Sequence, residues 1–280
     1  MIPTLLHGSE PYFLPGGPVG CLCLHGLTAS PQEVYWLGAY LAERGVTVHA
    51  PRLYGHGLNR REVLRARWQD WYLSALDGYH LLRRRCNQVF VLGLSMGGLL
   101  SLLLASQEPV NGLVVMAAPL RLAASNVQQV HLLRALRLTV MKFKREGDPL
   151  DDRIRREQAA RGEPVTGRVA YYEHTAAGIS ELLMLQARVV VALKSIQAPA
   201  LLIYSKADQA VPIENADRIA RGLTASASVQ VLRLQQSGHI LTNDIECEQV
   251  FEAAWAFVAQ MAHIPVRGND QERDGQSTHP

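Results

Sequence analysis

Three residues that could together perform nucleophilic chemistry follow one another along the chain in the order serine, aspartate, histidine. Ser95 lies in the stretch GLSMG, Gly93–Gly97, between two apolar runs, while Asp208 lies in SKADQAVP and His239 in SGHILTND. A serine hydroxyl is a weak nucleophile until a base removes its proton, and that base must itself be oriented by an acid. The order of the three residues therefore predicts attack on an acyl carbonyl carbon.

The glycines around Ser95 indicate a tight turn between a strand and a helix. The run QVFVLG, Gln88–Gly93, predicts a buried strand, and Met96–Ser106 predicts a helix. A G-x-S-x-G pattern in this setting presents the serine hydroxyl at a helix N-terminus, where backbone N–H groups favour negative charge. A phosphate-binding turn would need G-x-G-x-x-G or a Gly-Lys-Ser/Thr ending, which this stretch lacks. For the motif taken alone, a purely structural turn stays open.

The acid and the base are both predicted to lie at the same sheet edge as the serine. Asp208 comes just after the predicted strand Ala200–Ser205, and His239 lies between the last predicted strand and the last predicted helix. Asp244 and Glu214 are the rival acids. We expect Asp244 to cap the last helix and Glu214 to face solvent, which leaves Asp208 as the partner of the histidine.

Attack on a carbonyl also requires donors for the oxyanion that forms. The backbone N–H of Met96, the residue after the nucleophile, is the first candidate, and the Leu27 N–H in the loop LHGLT is the second. His25 in this loop could be read as a base or a metal ligand, but we expect it to shape the loop. With no H-E-x-x-H motif and no paired Cys-x-x-Cys in the sequence, we expect no metal and no cofactor.

Strand and helix patterns alternate along most of the chain and predict an α/β fold, a mostly parallel sheet with helices on both faces. The first helix is expected to begin at SPQE, Ser30–Glu33, with a capping box. The alternation stops between Arg121 and Ser195, where we expect no strand and predict a small helical cap over the carboxyl edge of the sheet. The predicted organisation is a core over 1–120 and 196–263, a cap over 121–195 and a disordered tail over 264–280.

Composition narrows the possible partners and compartment. The 280 residues are 48% hydrophobic and carry a net charge of +3, which is too small to indicate a nucleic-acid partner. Cys21 and Cys23 lie two apart in a predicted strand, at or beyond the reach of a disulfide, and we expect all four cysteines to be free thiols in the cytoplasm. The N-terminus lacks a signal-peptide pattern, and no apolar run has the length of a membrane span.

Five motifs, LHGLT, PRLYGHG, GLSMGG, KADQAVP and SGHILTND, resemble the α/β-hydrolase superfamily in order and approximate spacing. The resemblance covers about Val19 to Ala262. At closer range the chain is similar to bacterial carboxylesterases and monoacylglycerol lipases with a small helical cap. Carried over residue by residue, the resemblance implies a nucleophile, an acid, a base and two oxyanion N–H donors, in that order: Ser95, Asp208, His239, Leu27 and Met96.

This resemblance implies a serine hydrolase that cleaves carboxylic esters through an acyl-enzyme. The expected substrates are short- to medium-chain esters or monoacylglycerols, and the expected partner is such a small-molecule ester without nucleic acid or an integral membrane segment. Two alternatives stay open. One is an acyltransferase of the same fold, and the other is a non-catalytic member of the fold that binds a small molecule.

Overall fold

The computed structural model describes residues 4–121, 139–141, 148–171 and 173–265. The strands in these ranges are β1 Tyr12–Leu14, β2 Val19–Leu24, β3 Thr47–Ala50, β4 Gln88–Leu94, β5 Gly112–Met116, β6 Thr139–Met141, β7 Glu173–Thr175, β8 Ala200–Ser205 and β9 Val229–Leu234. The helices are α1 Tyr35–Ala42, α2 Arg60–Arg65, α3 Trp68–Arg83, α4 Met96–Ala105, α5 Pro149–Ala160, α6 Ala176–Ala192, α7 Glu214–Gly222 and α8 Cys247–Ala262, with 3-10 turns at Pro31–Val34 and Leu193–Ser195.

A seven-stranded, mostly parallel sheet with the strand order β1-β3-β2-β4-β5-β8-β9 forms the centre of the molecule. The strands pair in parallel throughout, except that β1 runs antiparallel to β3 at one edge. The α/β prediction is therefore confirmed. Because six strands of this sheet are parallel, all but β1, their carboxyl ends meet at one edge, and the turns after β2, β4 and β8 come together there.

The sheet separates two hydrophobic cores, and the side chains of each central strand point alternately into one core and the other. In β2, Leu22 and Leu24 pack with α3, α4 and α6, whereas Cys21 and Cys23 pack with α1 and α8 on the opposite face. All four cysteines are free, as predicted, and all four are buried. Burial raises the pKa of the Cys23 thiol to about 12, so this thiol stays protonated and unreactive.

Two expectations about local structure are wrong. The segment from 121 to 195 was expected to hold no strand, but β6 and β7 form a two-stranded antiparallel sheet in which Thr139 pairs with Thr175. Strands of three residues are too short to leave a period-two pattern in the sequence. The capping box at Ser30–Glu33 is also absent, because the Ser30 hydroxyl donates to the carbonyl of Val169 at 2.9 Å and caps no helix.

Helix α6 lies within the predicted cap segment, yet its apolar side joins the core. Leu185 and Val189 are fully buried in the same cluster as the leucines of α4. Residues Ala176–Ser195 are long and apolar enough to cross a membrane by length and composition, but half of this stretch is buried inside the protein, and a core helix meets the same criterion. The other apolar stretch of the segment, His131–Met141, lies outside the described residues except for the backbone of β6.

The predicted tail begins where the described chain ends. Ile264 packs partly buried against the core, with its N–H donating to the carbonyl of Ala259 at 2.9 Å. Residues 266–280, which make up most of the predicted tail, lie outside the described residues.

Two fully buried histidines contact each other near the carboxyl edge of the sheet. The rings of His25 and His56 lie 5.1 Å apart between centroids. His25 Nδ1 donates to the carbonyl of Gly26 at 2.9 Å, and its Nε2 accepts the N–H of Leu53 at 3.2 Å. Burial lowers the pKa of His25 well below 6.5 and that of His56 to about 4, so both rings are neutral. His25 therefore shapes the loop after β2, as predicted.

The burial of these histidines predicts acid sensitivity. Histidines in the unfolded chain bind protons below about pH 6.5, whereas folded His56 binds one only near pH 4. Between these values the unfolded state holds more protons, so the free energy of unfolding falls as the pH decreases. His56 alone contributes a loss on the order of 3 kcal/mol across this window. Thermal unfolding at several pH values from 7.5 to about 4.5 measures this slope.

The substitution His56→Asn separates this effect from general acid denaturation. The asparagine amide keeps a donor near the position of Nδ1, which lies 3.1 Å from the carbonyl of Tyr54, but it does not titrate. We expect a lower Tm at pH 7.5 and a shallower decline toward acid. His80→Gln, at an exposed position of α3, serves as the control and keeps the wild-type slope. An unchanged slope in His56→Asn would contradict the assignment.

Candidate active site

The turn between β4 and α4 holds Ser95 in a backbone conformation that non-glycine residues rarely adopt. Its φ is 57° and its ψ is −117°. The Ser95 N–H donates to the carbonyl of Met116 at 2.8 Å, which ties the turn to β5. A Cβ atom on Gly93 would overlap the carbonyl of Gly97, and one on Gly97 would overlap the carbonyl of Leu24. The two glycines therefore allow the close approach that presents Ser95 above the sheet.

The structure brings Ser95, His239 and Asp208 together as a chain of hydrogen bonds. His239 Nε2 lies 3.0 Å from Ser95 Oγ, and His239 Nδ1 lies 2.8 Å from Asp208 Oδ2. A carboxylate can only accept, so Nδ1 carries the proton and Nε2 is free to accept the serine hydroxyl. This is the tautomer that a histidine base requires.

Asp208 is fixed by the turn that follows β8. Its Oδ1 accepts the backbone N–H groups of Ala210 at 2.8 Å and Val211 at 3.0 Å, while Oδ2 faces His239. The carboxyl group is nearly inaccessible to solvent, with 1% of the Asp208 side chain exposed. Because both oxygens are engaged, the carboxylate has one orientation and so holds the imidazole ring in one orientation.

The loop that carries His239 is braced by a second carboxylate, on Glu246. This side chain accepts the N–H groups of Gln235, Gln236 and Ser237 and the Ser237 hydroxyl, at 2.7 to 3.1 Å. Burial raises the pKa of Glu246, but these four hydrogen bonds outweigh it and lower the pKa to about 2. No motif in the sequence marks this role, because Glu246 lies outside the stretch SGHILTND that carries His239.

Neither of the rival acids contacts His239 among the described hydrogen bonds. Asp244 accepts the N–H of Gly238 at 2.6 Å and that of Ile245 at 2.8 Å. Its predicted role as side-chain cap of the last helix is wrong, because α8 begins only at Cys247 and Asp244 instead closes the loop before it. Glu214 is exposed at the start of α7, as predicted.

Leu27 lies in the loop after β2 and lines the same cavity as Ser95, and Met96 directly follows Ser95. Met96 is the first residue of α4, so its N–H has no partner within the helix. Within the described part of the chain, neither the Leu27 nor the Met96 N–H donates a backbone hydrogen bond. Both groups are available to an external acceptor, and their role as oxyanion donors stays a prediction.

A cavity of about 160 Å³ opens beside Ser95 and His239. Its remaining wall is mostly apolar, with two charged exceptions, and consists of Gly26, Leu27, Glu33, Pro119, Arg168, Leu182, Ala210, Val211 and Ile240. The described residues contain no group of three or more His, Cys, Asp or Glu side chains arranged to hold a metal ion. Because its wall is mostly apolar, the cavity can accommodate an apolar group next to the serine.

The two charged residues of this wall are functional candidates that sequence reasoning missed. Glu33 Oε2 accepts the N–H of Gly26 at 2.9 Å, and its Oε1 lies 3.4 Å from Nη2 of Arg168. In the sequence Glu33 fits only the pattern of a capping box, and Arg168 belongs to none of the five motifs. Only the folding of residues 163–171 against the loop after β2 brings the pair together, so no local signal could have revealed it.

Comparison with known proteins identifies one matching family model and two similar bacterial enzymes. The family model described as "Serine aminopeptidase, S33" matches residues 20–246. A thermostable monoacylglycerol lipase of Bacillus sp. (strain H-257) is 33% identical over 259 residues, covering 92% of this chain and 97% of that protein. A carboxylesterase of Bacillus subtilis (strain 168) is 28% identical over 254 residues, covering 90% of this chain and 97% of that protein.

A solved structure from work on LipS and LipT, two metagenome-derived lipolytic enzymes, superimposes with a TM-score of 0.80. It is 29% identical to this chain and covers 92% of it, and this chain covers 100% of that structure. The family model matches well over half of the chain, and its match includes the turn of Ser95 and the loop of His239. The chain therefore belongs to the serine aminopeptidase S33 family and is a serine hydrolase of the α/β-hydrolase fold.

Proposed function

We propose that this serine hydrolase cleaves carboxylic esters, namely short- to medium-chain esters or monoacylglycerols, through an acyl-enzyme formed on Ser95. The observation that carries the proposal is the unbroken chain of hydrogen bonds from Ser95 through His239 to Asp208, beside a largely apolar cavity. The monoacylglycerol lipase and carboxylesterase among its relatives support ester substrates.

The reaction follows from the direction of these hydrogen bonds. Ser95 Oγ attacks the ester carbonyl while His239 Nε2 takes its proton, and the resulting oxyanion accepts the N–H groups of Leu27 and Met96. The intermediate collapses, the C–O bond to the alcohol breaks, and His239 protonates the departing alcohol. Water then attacks the acyl-enzyme with His239 again as base, which releases the acid and restores Ser95. Asp208 stabilises the imidazolium in both steps.

Esters suit the cavity better than peptides with a free amino terminus, which the family description would suggest. An aminopeptidase binds the positive amino group of its substrate, and a free carboxylate serves this purpose. In the described cavity wall the acidic side chain is Glu33, and it is already engaged by Gly26 and Arg168. The wall therefore offers an apolar surface to an acyl chain and no free negative charge to an amine.

The domain and compartment assignments belong to the same proposal. We assign residues 121–195 as the cap, because Arg168 and Leu182 of this segment line the cavity beside Ser95. The four buried, free cysteines support a reducing compartment, the cytoplasm. The proposed mechanism uses only protein groups and water, without a metal or a cofactor.

Ser95→Ala tests the proposed function directly. Wild-type protein should hydrolyse p-nitrophenyl butyrate and be labelled by a fluorophosphonate probe, and Ser95→Ala should lose both properties while keeping its Tm. Ser106→Ala, at the other end of α4, is the control and should retain both. Unchanged labelling of Ser95→Ala would refute the nucleophile assignment. A wild type without labelling or turnover would favour the non-catalytic alternative, and acyl transfer to an added alcohol exceeding hydrolysis would favour the acyltransferase.

The acid is tested by comparing Asp208→Asn with Asp244→Asn. Asparagine at 208 favours the wrong histidine tautomer and removes the charge that stabilises the imidazolium, so kcat should fall about 10⁴-fold. Asparagine at 244 keeps an acceptor for the loop, and we expect less than about a tenfold loss. Steady-state kinetics on a p-nitrophenyl ester measures both variants. The reverse result would make Asp244 the acid.

The cavity predicts a dependence of activity on acyl-chain length. Each additional buried CH₂ contributes about 0.8 kcal/mol, or roughly fourfold in kcat/KM, until the cavity is full. Activity on p-nitrophenyl esters should therefore rise from acetate to medium chains and then fall, and monoacylglycerol should be cleaved better than triacylglycerol. Kinetic measurement across these substrates tests the trend. A steady decline from acetate upward, or triacylglycerol as the best substrate, would contradict it.

A variant of the cavity wall sharpens this test. Leu182 lines the cavity from α6, so Leu182→Ala should move the optimum toward longer acyl chains. Val191→Ala on the same helix is the matched control, because Val191 is 69% exposed and lies outside the described cavity wall. The control should keep the wild-type optimum.

A further inference from the structure

We propose that Glu33 and Arg168 form a positioning pair beside Ser95. Glu33 holds the oxyanion loop, Gly26–Leu27, in its reactive geometry, and Arg168 balances the negative charge of Glu33. The pair touches no reacting atom in this proposal, so neither residue is catalytic in the strict sense. The inference rests on the proposed function, in which the Leu27 N–H binds the oxyanion.

The first support is the contact between Glu33 and the oxyanion loop. Glu33 Oε2 accepts the Gly26 N–H at 2.9 Å, and the Glu33 side chain is only 5% exposed. Gly26 directly precedes Leu27, so fixing the Gly26 N–H limits the rotation of the peptide group that carries the Leu27 donor. An oxyanion donor is effective only when it already points at the developing charge, because no energy is then spent on orienting it.

The second support is the position of this carboxylate beside the nucleophile. A methyl group placed on Gly26 would lie 3.0 Å from Glu33 Oε2 and 3.4 Å from Ser95 Cβ. The Glu33 carboxylate and the Ser95 side chain therefore both lie beside Gly26, with no side chain of this residue between them. The oxyanion forms on the substrate next to Ser95. A lone carboxylate at this distance, in a site shielded from water, would repel the oxyanion and slow acylation.

Arg168 provides a positive charge next to the Glu33 carboxylate. Its Nη2 lies 3.4 Å from Glu33 Oε1, and its side chain is 19% exposed. Its buried Nε has no hydrogen-bond partner among the described residues, so the guanidinium is not held by a second acceptor there. The positive charge therefore offsets the charge of Glu33 and leaves that carboxylate free to act as a hydrogen-bond acceptor for Gly26.

The backbone around Arg168 is bound to the segment that follows the oxyanion loop. Val169 donates to Gln32 Oε1 at 2.8 Å, and Tyr171 donates to the carbonyl of Thr28 at 2.7 Å. Both contacts lie within three residues after Arg168 in the sequence, so they restrict where its side chain begins. The pair is thus a built arrangement of two chain segments and not a chance contact of two long side chains on the surface.

The experiment compares Arg168→Gln with the double variant Arg168→Gln/Glu33→Gln. The single variant leaves the Glu33 charge unbalanced beside the oxyanion, so kcat on p-nitrophenyl butyrate should fall about tenfold or more with KM changed less than about threefold. The double variant removes that charge and keeps an amide oxygen to accept the Gly26 N–H. We expect it to be faster than the single variant, a reversal that a merely structural role would not produce.

Two further variants provide controls. Arg168→Lys keeps the positive charge and should retain most of the wild-type kcat. Arg233→Gln removes an arginine from an exposed ion pair with Asp217, outside the described cavity wall, and should leave kcat unchanged. Active-site titration with the fluorophosphonate probe normalises every rate to the amount of folded, reactive enzyme.

A boronic acid with a short alkyl chain provides a readout that does not depend on turnover. Ser95 Oγ forms a bond to boron, His239 takes the hydroxyl proton, and the boron becomes a tetrahedral anion that resembles the intermediate. Its affinity should weaken in Arg168→Gln and recover in the double variant. Unchanged kcat and boronate affinity in Arg168→Gln, or a double variant slower than the single one, would overturn the inference. A wild type that binds boronate but cleaves no ester would overturn the proposed function alone.

Discussion

The backbone of Ser95, held at a φ of 57°, is the constraint on which the rest of the site depends. Such a conformation costs of order 1–3 kcal/mol, so surrounding contacts must stabilise it. The helix that follows supplies them, because Leu99, Leu100 and Leu102 are fully buried and each contributes roughly 1.5–3 kcal/mol. The strain is therefore small beside the burial of α4, which holds the turn in place.

The loops at the carboxyl edge of the sheet are held by carboxylates that accept backbone N–H groups. Asp208 fixes the turn after β8, Glu246 and Asp244 fix the loop of His239, and Glu33 fixes the loop after β2. Backbone groups in a loop have no regular partners, so a carboxylate with two oxygens satisfies several at once. This arrangement makes the edge of the sheet rigid where the proposed reaction needs fixed distances.

Much of the fold was predictable because its signals are local. The central strands are continuous apolar runs of five to seven residues, and the helices between them have clear starts and stops, so alternation of the two indicates a parallel sheet. The strands β1, β6 and β7 were missed, since three residues are too few to show a period. The capping box failed because Ser30 and Glu33 have partners far away in the chain, Val169 and Arg168, and these contacts outweigh a local preference.

The sequence by itself determined which residues could do chemistry, because Ser95, Asp208 and His239 each follow a recognisable strand in the required order. It also determined the turn of Ser95, since only glycines allow that approach of strand and helix. Tertiary structure alone decided which groups orient these residues. Glu33 and Arg168 lie 135 residues apart and meet only after folding, with no motif at either position. Spacing in sequence reports contacts made within one turn or strand, whereas a contact between distant segments depends on how the whole chain packs.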